Sequence, residues 1–128
     1  MSRILTSSLV LLLVLGAAAC GGRPPPEAGG DPDGSEIDIH IISHNLRDAT
    51  VYLYLGESRQ RMGMAGGNQT TMFKVPWRRI EGNSRVRLLA ELIGSEGQVL
   101  SENLQLSPGA RVVWTLEVQL PASSVTVY

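Results

Sequence analysis

Few side chains in this sequence have the type and spacing for chemistry. Cys20 is the only cysteine, His40 and His44 are the only histidines, and Met62, Met64 and Met72 are three of the four methionines. A lone cysteine forms no internal disulfide. Four residues along a strand is about 13 Å, so His40 and His44 would face one side without sharing a metal. Met62 and Met64 would share a strand face about 6.6 Å apart along the backbone. Met72 follows across the Gly66-Gly67-Asn68 turn. If the hairpin register sets Met62 or Met64 opposite Met72, three thioethers converge, a soft ligand set suited to Cu(I). The ordinary alternative is methionine as core filler, and no metal or other cofactor is assigned.

Arginine is the other resource. Lys74 is the only lysine among 11 basic residues. Arg78 and Arg79 follow Trp77, Arg85 and Arg87 share one strand face, and Arg59 and Arg61 share another. If these faces coincide, Trp77, Arg78, Arg79, Arg85 and Arg87 are the candidates for a basic patch that takes an anionic glycan, lipid head group or acidic protein. The alternative is a solvated face whose arginines pair across strands with Glu91, Glu102 and Glu117. Glu91, between Leu89 and Ile93, is expected to pair with an arginine on an adjacent strand. No catalytic residue emerges. Gly56-Glu57-Ser58-Arg59-Gln60 lacks the closing glycine of a nucleophile elbow, and Gly63 to Gly67 lacks the Lys and Ser/Thr of a phosphate loop. The chain is read as a non-enzyme.

Elements that could position these groups follow from pattern. The 128 residues suit one domain, and 43% hydrophobic against 18% charged content is globular. A net charge of −1 argues against a nucleic-acid partner. From Glu36 onward the period is two. Ile37, Ile39 and Ile41 alternate with polar residues, as do Val51, Leu53 and Leu55, then Val86, Leu88, Ala90 and Leu92, then Val112, Trp114, Leu116 and Val118. Turn residues separate the runs. About seven strands are predicted, near 37–44, 50–56, 59–64, 69–75, 85–93, 98–106 and 110–119, with a Gly94–Gly97 hairpin joining two of the longest. No helix is predicted. The tail, 121–128, adds an edge strand or offers an extended segment to a partner. The fold class is all-β, an antiparallel sandwich spanning 36–128.

The N-terminal stretch is different. Arg3 precedes an apolar run from Leu9, small residues fill 16–19, and Cys20 follows. This is the three-part layout of a secretory signal peptide, and 12 apolar residues fall short of the roughly 20 that span a bilayer. Its end, Ala17-Ala18-Ala19-Cys20, resembles the lipobox of bacterial lipoproteins, with Ala17 where that family usually has leucine. The resemblance implies cleavage after Ala19, a diacylglyceryl group on Cys20, and a membrane partner through that lipid. An ordinary signal-peptidase site after Ala19 is the alternative. Residues 21–35, GGRPPPEAGGDPDGS, are nine parts in fifteen Gly or Pro and read as a solvated linker. Gly21 in place of aspartate would favour the outer membrane by that family's sorting rule.

Leu106-Ser107-Pro108-Gly109 before an aromatic strand resembles the corner of immunoglobulin-like and fibronectin type III-like sandwiches, loosely, since Trp114 stands beyond the usual tyrosine position. The expectation is a signal peptide over 1–19, a lipid-bearing linker over 20–35, and a non-catalytic sandwich in the bacterial cell envelope for interaction, scaffolding or ligand binding. An envelope protein or glycan is the expected partner. Copper handling through the methionines and an uncharacterised envelope enzyme are the rival functions.

Overall fold

The computed structural model describes residues 35–128; the expected signal peptide, Cys20 and the expected linker up to residue 34 lie outside the described residues. Eight strands form: β1 (Glu36–Ser43), β2 (Ala49–Leu55), β3 (Ser58–Ala65), β4 (Thr70–Pro76), β5 (Val86–Leu92), β6 (Gln98–Leu100), β7 (Arg111–Leu116) and β8 (Ser124–Val127). They make two four-stranded sheets, β4-β1-β7-β8 and β3-β2-β5-β6. All pairings are antiparallel except β1 with β7, which is parallel. The chain is an all-β sandwich.

The alternating apolar residues supply the layer between the sheets. Ile37, Ile39, Ile41, Val51, Leu53, Leu88, Val112, Trp114 and Leu116 are all fully buried. Burying each aliphatic side chain contributes about 1.5–3 kcal/mol. Alternation carries the pattern only while the strand lasts. β7 ends at Leu116, so Val118, expected inward, is 67% exposed.

Two expectations about elements need correction. The strand expected over 98–106 is regular only over Gln98–Leu100, so the Gly94–Gly97 turn joins β5 to the shortest strand. Beyond it the ladder continues only in part: the Ser101 and Leu104 N–H groups donate to the Leu88 and Val86 carbonyls, and side chains accept the return bonds. Ser101 Oγ accepts the Leu88 N–H at 2.8 Å, and Asn103 Oδ1 accepts the Val86 N–H at 2.8 Å. Residues 77–80 form one helical turn, α1 (Trp77–Ile80), which buries Ile80. Four residues are too few to show a 3.6-residue period. The tail takes the first of its two expected forms, the edge strand β8, paired to β7 with Val125 opposite Trp114.

β3 carries a bulge: its register against β2 shifts between Val51 and Tyr52, leaving Met62 without a partner. Gly63 beside it has φ of +153°, and a Cβ there would lie 2.9 Å from Phe73 Cε1. Phe73 sits on β4 in the other sheet, so the glycine lets the two sheets approach along this open side.

Two substitutions test these devices. Ser101→Ala orphans a buried backbone donor and should cost about 1–3 kcal/mol in urea unfolding, with an unchanged m value. Gly63→Ala combines a disfavoured φ with a clash against Phe73 and should destabilise by about 1–3 kcal/mol; a neutral result would mean the bulge does not set the approach of the sheets.

Candidate functional site

The inward residues of β2 and β5 leave Tyr52, Tyr54, Arg87, Leu89 and Glu91 on the outer surface of the second sheet. Register sets their neighbours. Tyr52 pairs with Arg61 on one side and Leu89 on the other; Tyr54 pairs with Arg59 and Arg87. The Arg59 guanidinium lies 3.7 Å from the Tyr52 ring centroid and Arg87 lies 5.9 Å from that of Tyr54. Both are within cation–π range. Leu89, outward by parity, is nonetheless buried, paired with Leu100 of β6.

Arg59 Nη2 also reaches Glu91 Oε2 at 3.1 Å. The expected partner of Glu91 was an arginine on an adjacent strand. Arg59 is two strands away, on β3, and reaches Glu91 past Tyr52 of β2. Hydrogen bonding with Tyr52 first, and the Glu91 charge with it, raise the Arg59 pKa against partial desolvation. The face thus carries Arg59, Arg61 and Arg87 against Glu91, with Glu102 in the cleft beside Arg87.

The arginines singled out from sequence are brought together in part. Arg59, Arg61 and Arg87 share this face, and Arg85 precedes β5 and lines a cleft beside Arg87. Trp77, Arg78 and Arg79 lie on α1, and Arg79 shares a cleft with Arg61 beside Met62 and Phe73. Trp77 packs against the core, and Arg79 hydrogen-bonds Gln60 of β3. Expected cross-strand pairing of arginines with Glu117 does not occur, since Glu117 binds His44 Nδ1 at 3.0 Å. Tyr52 and Tyr54 were not assigned a role from sequence, although their alternation with Val51, Leu53 and Leu55 marked them as outward.

The methionines do not form the hypothesised ladder, because β3 and β4 belong to different sheets. Met62 packs against the core, Met64 is exposed opposite Thr50, and Met72 is exposed opposite His40. His44 follows β1. Among the described residues, no three His, Cys, Asp or Glu side chains gather as a metal site, and no helix is long and apolar enough to cross a membrane.

The outer surface of the first sheet is electrically balanced by comparison. Lys74 Nζ lies 3.5 Å from both Glu36 Oε2 and Asp38 Oδ1. The Asp38 charge first, then hydrogen bonds to Asp38 and Glu36, raise the Lys74 pKa.

No family model and no curated protein match the chain. A solved structure titled "NMR structure of the protein from Eubacterium rectale" is similar at a TM-score of 0.47 and 13% identity, covering 78% of this chain and 93% of that one.

The Lys74 cluster gives a pH prediction. A raised lysine pKa contributes stability fully below the ordinary value of about 10.4, and that contribution is lost as pH rises through the folded-state value. Stability measured by urea unfolding should therefore fall on the alkaline side of that value, and Lys74→Met should flatten the fall. An identical alkaline slope in the variant would contradict the assignment.

Proposed function

We propose that this protein is a lipid-anchored component of the bacterial cell envelope whose sandwich binds, without catalysis, an anionic partner on the outer face of its second sheet. The observation that carries this reading is the composition of that face. Tyrosine and arginine are the residue types enriched where partners bind most strongly. Here two tyrosine rings lie under or beside guanidinium groups, which holds the long arginine side chains in place before binding and lowers the entropy lost on association. Arg59, Arg61, Arg85 and Arg87 against Glu91 and Glu102 leave the face positive in a chain of net charge −1. Anchoring rests on the Cys20 lipobox resemblance.

Two measurements test the two halves. Intact mass of the protein extracted from host membranes should show a species beginning at Cys20 and heavier by a diacylglyceryl group. A soluble species with a free Cys20 thiol would overturn the anchor. A photo-crosslinking residue at position 61, on the arginine–tyrosine face, should give discrete adducts in the intact envelope, whereas one at position 113, on the other sheet, should not. Equal labelling from both positions, or none from position 61, would overturn the binding face.

A further inference from the structure

Arg85 and Arg87 flank Val86, and their side chains line a cleft of about 300 Å³ with Ser101, Glu102 and Asn103. The polar side chains of its floor are largely committed to the fold. Ser101 Oγ accepts the Leu88 N–H and donates to the Glu102 carbonyl. Asn103 accepts the Val86 N–H and donates to the Ser84 carbonyl. What remains for a ligand is the pair of guanidinium groups.

Arg87 is unusual within that pair. Its Nε is buried, and no acceptor among the described residues reaches it. A buried cationic donor without an acceptor is costly, and such positions call for a specific explanation. The ring of Tyr54 beneath the guanidinium opposes its swinging out to water. No carboxylate among the described residues lies within ion-pairing distance of Arg85 or Arg87, although Glu102 lines the same cleft. Arg59, by contrast, has Glu91.

Charge and shape select the missing partner. An arginine presents a planar fork that matches an oxyanion through two parallel N–H···O bonds. Two arginines and Glu102 leave the cleft one positive charge in excess. Glu102 therefore opposes a doubly charged anion such as the phosphate dianion, while one negative charge completes the balance. We propose that Arg87, through the fork of its two terminal Nη groups, and Arg85 form a receptor for a single carboxylate group of the ligand. The inference rests on the reading of this sheet face as the binding surface and names the chemical group it takes.

The purified mature protein, titrated with acetate, glucuronate and inorganic phosphate, tests it by NMR. The readouts are the Arg87 Nε–Hε resonance and the backbone amides of residues 86, 87 and 103. Acetate and glucuronate should shift these signals saturably in the millimolar range, glucuronate alone doing so if the site also needs a sugar ring. Phosphate at a pH where it is a dianion should bind more weakly. Arg87→Lys keeps the charge and removes the fork, and should weaken carboxylate binding at least about tenfold by the amide readout. Glu102→Gln should bring phosphate binding up toward that of acetate. Arg111→Lys, on the other sheet, should change nothing. Absence of saturable shifts from either carboxylate, or equal binding by Arg87→Lys in a folded protein, would overturn the receptor. Cross-links from position 61 without carboxylate shifts would sink this inference and leave the binding face standing; shifts without cross-links would do the reverse.

Discussion

Ile37, Ile39 and Ile41 are fully buried on a strand paired along both edges, antiparallel to β4 and parallel to β7. That two-sided strand organises the sandwich. Its isoleucines face the apolar sides of β2 and β5, and because side chains alternate, every residue turned inward there dictates which neighbour turns out. Burial of Val51, Leu53 and Leu55 leaves Tyr52 and Tyr54 no place but the surface. Burial of Leu88 and Ala90 does the same for Arg87 and Glu91. A one-residue slip in either strand would exchange the two sets and bury cations, so the hydrophobic layer fixes the geometry of the polar face.

Where period-two alternation is long, the sequence was enough to place strands, as with the isoleucine run of β1 and the Val86–Leu92 run of β5. It was enough, too, to put Arg59 with Arg61 and Arg85 with Arg87. It was not enough to say that the two pairs meet, since that depends on β2 inserting between β3 and β5, a long-range choice with no local marker. The 98–106 stretch misled for a different reason. Ser101 and Asn103 satisfy β5 with side-chain oxygens, and an apolar–polar pattern does not distinguish that from a backbone ladder. The methionine hypothesis assumed that a turn between strands makes a hairpin; here the Gly66-Gly67-Asn68 turn carries the chain from one sheet to the other.

The two outer surfaces differ in how their charges are used. On the first sheet Lys74 is neutralised by Glu36 and Asp38. On the second, stacking on tyrosine holds guanidinium groups in place, and only Arg59 has a carboxylate partner within ion-pairing distance among the described residues. Rings beneath cations order long side chains without cancelling their charge, and the proposed anion binding rests on that property.

The account is tested most directly by hydroxyl-radical footprinting of the protein in intact envelopes against the purified protein. Tyr52 and Tyr54 should be labelled more slowly in the envelope, while Met72 on the opposite sheet keeps its rate. Equal labelling of both tyrosines in the two preparations, or protection of Met72 alone, would contradict the claim that the arginine–tyrosine face is where this domain meets its partner.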